Sequence, residues 1–201
     1  MKACFDEAFR RECERIGYPI VLRDTEELLV SLLREKCPKK LLEIGTCIGY
    51  SGCLFLSVLP EAQLVTVEIE EEKWRRAKEN FAARGYASRV LAILGDCREV
   101  VPALSRRFDL IFLDGPKGQY AALLPYLEDL LEDGGMLVAD NVCFHGVTAE
   151  GFTPPRRDRT VQKNLRQFSA ALRADPLLET EFFGTGDGVS VSLKKALSEA
   201  R

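Results

Sequence analysis

The sequence predicts an α/β domain on a doubly wound, mostly parallel, seven-stranded sheet with an antiparallel C-terminal strand. Three observations carry this. Short apolar runs alternate with segments of helical spacing between residues 40 and 174, the pattern of successive βα units. The runs end in acids or glycine, as at Ile44-Gly45, Val67-Glu68, Leu113-Asp114 and Ala139-Asp140. The last two runs flank Gly184-Thr-Gly-Asp-Gly188, a hairpin-type turn.

Each element has its own warrant. Residues 4–16 and 24–36 have helical spacing, and Asp24 or Thr25 is placed to cap the second helix. A strand over 40–44 precedes a helix over 49–58, and a strand over 63–68 precedes a helix over 70–84. That helix carries acids in its first turn, which suits the helix dipole, and Gly85 stops it. A strand at 90–94 leads to a short helix at 98–104, and a strand at 108–113 leads to a helix near 119–131. The next strand covers 136–140, a helix covers 157–174, and closing strands fall near 178–183 and 188–194. Residues 142–158, with two glycines and two prolines, form a long loop over the ligand edge; loops of that length usually have a function of their own. Trp74 and Phe81 fall on a helix face that reads as core.

Composition narrows the class. A chain of 201 residues with 46% hydrophobic and 29% charged residues suits one globular domain. The net charge of −3 does not mark a nucleic-acid binder. No apolar run approaches a membrane span, and the first residues lack the apolar stretch of a signal peptide. The seven cysteines are scattered and never spaced C-x-x-C. A reduced, cytoplasmic protein is expected.

In a parallel sheet, neighbouring strands deliver their C-terminal ends to one edge, where ligands bind. Asp114 and Asp140-Asn141 end two adjacent apolar runs, and Lys117 follows Asp114 by three residues. Carboxylate and amide oxygens without a histidine cluster suit Mg²⁺ or Ca²⁺ rather than zinc. The single histidine, His145, cannot build a multi-histidine site; either a substrate contact or a surface role would suit it. At the other end of the edge, Gly45 permits a tight turn in a G-x-x-x-G spacing that is not the dinucleotide G-x-G-x-x-G. Glu68 can bind the hydroxyls of a ribose, and Asp96 stands where it can reach an adenine edge. Glycines and acids also end strands in any α/β fold. Three such signals at successive strand ends favour an adenosine site.

Together Leu42-Glu-Ile-Gly-Thr-x-x-Gly-Tyr-Ser51, Val67-Glu68, Gly95-Asp96, Phe112-Leu-Asp114 with Lys117, Asp140-Asn141 and Gly186-Asp-Gly188 resemble a known family. It is the cation-dependent O-methyltransferases related to catechol and caffeoyl-CoA methyltransferases. The resemblance spans roughly residues 18–194. Lys117-Gly-Gln-Tyr120 and Asp140-Asn-Val-x-Phe-x-Gly146 look most like the bacterial tRNA 5-hydroxyuridine methyltransferases. Gly115-Pro116 departs from the two small residues more common there. The resemblance implies a Rossmann-like class I methyltransferase domain, S-adenosylmethionine as cofactor, Mg²⁺ or another divalent cation, and a homodimer. It places Glu43, Gly45, Tyr50, Ser51, Glu68, Asp96, Asp114 and, through its backbone, Cys97 on the cofactor. It gives Asp114, Asp140 and Asn141 to the metal, and Lys117 to the acceptor oxygen as the base.

The chemistry suits these residues. Methyl transfer from a sulfonium needs no enzyme nucleophile, only an acceptor oxygen held in line with the methyl group. A phenol-like or enol-like hydroxyl attacks well once deprotonated, and a divalent cation stabilises the oxyanion. Lys117 can take the proton. Arg156-Arg-Asp-Arg-Thr-Val-Gln-Lys-Asn-Leu-Arg166 is a basic strip beside the expected rim. It reads as a phosphate contact or as the solvated face of an amphipathic helix. Four functions compete. The first is methylation of wobble 5-hydroxyuridine in a tRNA anticodon loop. The second is methylation of a small catechol or other phenol. The third, an NAD-linked oxidoreductase, lacks its fingerprint and has no use for a lysine beside a metal. The fourth, a nonenzymatic binding domain, would not be expected to keep Asp114, Lys117 and Asp140-Asn141 together.

Overall fold

The computed structural model describes residues 6–144, 146, 148–149 and 151–196. His145 lies outside the described residues. Strands β1 (Lys40–Ile44), β2 (Gln63–Glu68), β3 (Val90–Leu94), β4 (Phe108–Leu113), β5 (Leu131–Ala139), β6 (Leu178–Phe183) and β7 (Val189–Lys194) form where the apolar runs lie. They make one seven-stranded sheet in the order β3-β2-β1-β4-β5-β7-β6. Strands β1 to β5 pair in parallel, and β7 runs antiparallel to both β5 and β6. The antiparallel strand is therefore inserted between β5 and the edge. The Gly184–Gly188 turn lets β7 fold back beside β6, and only β7 reaches β5.

Helices α1 (Glu7–Ile16), α2 (Arg23–Lys36), α3 (Tyr50–Val58), α4 (Glu71–Ala83), α5 (Cys97–Ala103), α6 (Tyr120–Leu130) and α7 (Arg159–Ala174) cover the sheet. The strands alternate in period two between two cores. Leu41, Leu110 and Phe112 face a core with Leu54 and Phe55 of α3 and Phe81 of α4. Leu42, Ile44 and Ile111 face the other, with Leu123 and Leu127 of α6 and Phe168 of α7. Helix α3 is buried on all sides over Tyr50–Leu56, which is why its sequence is almost wholly apolar. Phe55 meets Phe112 edge to face at 5.3 Å between ring centroids; a buried phenylalanine of this kind contributes about 1.5–3 kcal/mol.

Two local expectations need correction. Helix α2 begins one residue early, after Leu22, and no side chain caps it. Asp24 instead accepts a hydrogen bond from Gly186 N at 2.8 Å, tying α2 to the β6–β7 turn. Strand β5 starts at Leu131, not 136. Its polar Glu132-Asp-Gly-Gly135 stretch reads as a turn in isolation, and Phe108 of β4 pairs with Leu131 through a register irregularity. Phe81 is core as expected, and the Trp74 indole donates to Ala92 O of β3 at 3.0 Å.

Candidate active site

The order of the sheet reverses between β1 and β4, and ligands bind in the crevice that such a reversal opens. Backbone bonds carry the strand ends past the sheet. Asp114 N donates to Ile44 O at 2.9 Å, Asp140 N to Leu113 O at 3.0 Å, Gly45 N to Val67 O at 3.0 Å and Gly95 N to Glu68 O at 2.8 Å. Gly45, Glu68, Gly95, Asp114 and Asp140 therefore share one edge. Gly45 has φ +100°, and a Cβ there would strike the Asp114 carbonyl, so only glycine fits the close approach of β1 and β4. The crevice above this edge has a volume of about 820 Å³.

At one end Glu68 is almost buried and accepts three backbone N–H bonds, from Cys47 at 2.7 Å and from Ile69 and Glu70 at 2.9 Å each. Those three bonds take both lone pairs of Oε1 and one of Oε2, which leaves the second lone pair of Oε2 open to a ribose hydroxyl. Asp96 caps α5 by accepting from Arg98 N at 2.8 Å, and the Arg98 guanidinium holds both its oxygens. That contact holds the Asp96 carboxyl down at about 2. Cys97 lines the same wall, and burial pushes its thiol up, so its side chain is inert.

At the other end Lys117 sits in a 3-10 turn and donates to Asp114 Oδ1 at 2.7 Å. Asn141 N donates to Asp140 Oδ1 at 2.7 Å, and Asn141 itself adopts a left-handed φ of +55°. Asparagine tolerates that conformation better than most residues, and such strain clusters at functional sites. Burial and the neighbouring Asp114 push the Asp140 carboxyl up to about 7. Burial also raises Asp114, with Lys117 opposing. Among the described residues the hydrogen bonds of both carboxylates fall on Oδ1. Two desolvated carboxylates beside an amide fit a hard divalent cation, whose charge would remove the penalty of ionising both. No group of three or more His, Cys, Asp or Glu gathers for a metal among the described residues. Protein ligation would thus rest on two carboxylates and Asn141, which leaves positions for water and substrate oxygens.

The structure brings Gly45, Glu68, Asp96, Cys97, Asp114, Lys117, Asp140 and Asn141 to the crevice. It does not bring Glu43, Ser51 or Tyr50 there. Glu43 is fully buried beneath the floor, where it accepts from the hydroxyls of Ser51 and Thr66; burial raises its carboxyl to about 7. Strand pairing forces this, because Glu43 shares the α3 face with Leu41. The Tyr50 side chain turns toward α1 and α2 and donates to Glu26 at 2.7 Å. Among the described residues of the long loop, Asn141 precedes it on the lining and Phe144 contributes from it, while Arg156, Arg157 and Arg159 are exposed away from the lining. Arg166 and Gln162 of α7 fasten the loop by donating to Ala149 O at 2.6 Å and Phe152 O at 2.9 Å.

Sequence reasoning missed the opposite wall. Pro19, Ile20 and Leu22, from the connection between α1 and α2, line the crevice, and nothing local to them signals it. It also missed Tyr120, whose buried hydroxyl is shared between Leu113 O at 3.0 Å and Asp140 O at 3.1 Å. That hydroxyl ties the ends of β4 and β5 together behind the two carboxylates. Its place at the close of Lys117-Gly-Gln-Tyr120 was the available signal.

The sequence profile of the O-methyltransferase family matches residues 10–195. The chain belongs to the O-methyltransferase family. It is 31% identical over 157 residues to a catechol O-methyltransferase of Niastella koreensis, covering 75% of this chain and 69% of that protein. It is 31% identical over 128 residues to the catechol O-methyltransferase of Bos taurus, covering 60% of this chain and 47% of that protein. The matched stretch thus spans about half of the bovine relative. An S-adenosylhomocysteine-bound methyltransferase structure from Podospora anserina, PaMTH1, superposes with a TM-score of 0.83 at 28% identity, covering 96% of this chain and 89% of that one. The fold is accordingly the Rossmann-like one of these methyltransferases. No helix among the described residues is long and apolar enough to cross a membrane.

Proposed function

We propose that this protein is a Mg²⁺-dependent methyltransferase that transfers methyl from S-adenosylmethionine to the 5-hydroxyl of 5-hydroxyuridine in a tRNA anticodon loop. The observation that carries the reading is the meeting of Lys117, Asp114, Asp140 and Asn141 at one end of a crevice whose other end holds Glu68 and Asp96. When bound, the cofactor supplies an electrophilic methyl and the cation supplies charge for an acceptor oxyanion. Glu68 would bind the ribose hydroxyls, and Asp114, Asp140 and Asn141 would hold the cation. Lys117, anchored on Asp114, would take the acceptor proton at Nζ. Ile44 and Val67 line the strand ends of the crevice and would keep water from its floor.

The acceptor should carry two neighbouring oxygens able to chelate. A 5-hydroxyuracil ring offers its hydroxyl and the adjacent 4-carbonyl. A nucleotide in a single-stranded loop can be splayed out at low cost. Arg156, Arg157, Arg159 and Lys163 are exposed at the start of α7, and α7 packs on the Lys117–Gln119 turn; there they would hold flanking phosphates. A second reading, a small catechol acceptor, is favoured by the names of the relatives above, and a catechol offers the same paired oxygens. A homodimer is the expected assembly, to be read by light scattering.

The test offers enzyme, Mg²⁺ and labelled cofactor two acceptors, tRNA bearing 5-hydroxyuridine and a simple catechol. Efficient labelling of the tRNA, lost in excess chelator and restored by Mg²⁺, is expected. Labelling of the catechol alone would replace the first reading by the second. Full turnover in chelator would remove the metal from both.

A further inference from the structure

Arg10 is only 3% exposed, and its partners Glu26 and Tyr50 are 7% and 2% exposed. The guanidinium donates from Nε to the Tyr50 hydroxyl at 3.0 Å. Its Nη2 donates to Val21 O at 2.9 Å and to Glu26 Oε2 at 2.5 Å. The Tyr50 hydroxyl donates to the same Glu26 oxygen at 2.7 Å. One side chain thus joins four segments: α1, the α1–α2 connection, α2 through Glu26, and the first residue of α3, directly after Gly49 of the glycine turn.

This arrangement is expensive as a source of stability. Well-packed apolar side chains often do as well as a buried ion pair. What the planar fork supplies is geometry, since it can bind several acceptors in fixed directions. Two of the acceptors it binds adjoin walls of the crevice. Val21 lies between Ile20 and Leu22, both on the crevice wall. Tyr50 follows the turn in which Cys47 N donates to Glu68. The far side of the connection is anchored separately, by Gly186 N on Asp24 at 2.8 Å, with Asp187 lining the crevice beyond it.

We propose that Arg10 is a positioning residue for the cofactor: through Val21, Glu26 and Tyr50 it holds the α1–α2 connection against the glycine turn and thereby sets cofactor affinity. Arg10 does not line the crevice and acts through the walls it holds. The inference rests on use of S-adenosylmethionine by the family and on neither acceptor reading, and binding is measured without an acceptor. Failure of the wild-type protein to bind S-adenosylhomocysteine would count against the crevice assignment, not against Arg10.

The experiment compares full-chain wild type with Arg10→Met/Glu26→Leu and with Arg10→Lys. The double variant removes both charges, so no ion is left buried without its partner. The readouts are the urea midpoint, calorimetric binding of S-adenosylhomocysteine, and hydrogen exchange of the backbone amides of residues 17–22. The double variant is expected to keep the wild-type midpoint, to bind at least about tenfold more weakly, and to exchange faster over 17–22. In turnover its KM for S-adenosylmethionine should rise more than its kcat falls. Arg10→Lys keeps a charge for Glu26 but cannot span Tyr50 and Val21 together, so its affinity should be intermediate. Wild-type affinity and exchange in a folded double variant would overturn the proposal. Should the double variant not fold, unchanged affinity and exchange in Arg10→Lys would overturn it, and weakened binding at an unchanged midpoint would uphold it.

Discussion

Replacing Glu68 by Gln tests the cofactor end of the site most sharply. Its Oε1 accepts from Ile69 N and Glu70 N at 2.9 Å each, and its Oε2 from Cys47 N at 2.7 Å. A glutamine has one acceptor oxygen. Oriented to keep the Ile69 and Glu70 bonds, it points its NH₂ at the Cys47 N–H, two donors facing each other. A buried donor left unpaired costs about 1–3 kcal/mol, charged to the Thr46–Gly49 turn. The carboxylate charge that a ribose diol would meet is also lost. A hydrogen bond to a charged group contributes about 1.5–3 kcal/mol, or roughly ten- to hundredfold in affinity. Glu68→Gln should therefore bind S-adenosylhomocysteine about ten- to hundredfold more weakly by calorimetry. Glu68→Ala should bind no better, because it releases all three backbone donors. A urea midpoint measured in parallel separates a loosened turn from a lost ligand contact. Wild-type affinity in a folded Glu68→Gln protein would refute the placing of the ribose on Glu68.

The other predictions are briefer. Lys117→Ala should retain cofactor affinity while single-turnover methyl transfer slows by about 10²–10⁴; a normal rate would remove Lys117 as the base. Gly45→Ala should destabilise by roughly 1–3 kcal/mol, since its Cβ would meet the Asp114 carbonyl at a φ of +100°; an unfolding midpoint equal to wild type would refute the close approach. Burial, and then Asp175, push the Glu128 carboxyl up to about 7. The folded chain thus holds a proton that the unfolded chain releases between the ordinary carboxylate range and pH 7. This penalty is absent at low pH and fully present above that window. Glu128→Gln should lessen the loss of stability between pH 5 and pH 8, in urea melts, by about 1 kcal/mol after solvent screening; parallel pH profiles for the two proteins would refute it.

The strands and the acids at their ends were legible in the sequence. Alternation of apolar runs with helical segments is a local property, and a parallel sheet turns it into a common edge. Hence Gly45, Glu68, Asp96, Asp114, Lys117, Asp140 and Asn141 could be named in advance, and the family motifs added the place of Lys117 beside the acceptor oxygen. Where a side chain points depends on what packs above it, which spacing along the chain does not contain. Glu43 and Ser51 belong to the same motif as Gly45, yet strand parity turns Glu43 under α3, where Ser51 meets it. Tyr50 is drawn away by Arg10 and Glu26, residues distant in the chain. The polar start of β5 became strand only because Phe108 lies opposite Leu131. The loop expected to cover the crevice is held on α7 by Arg166 and Gln162, and the wall facing it comes from Pro19, Ile20 and Leu22. The sequence by itself determined the chemistry available at the sheet edge, because each acid ends its own strand. Only the tertiary structure decided which of those groups face the crevice and what closes over them, because those choices rest on contacts between segments that share no local pattern.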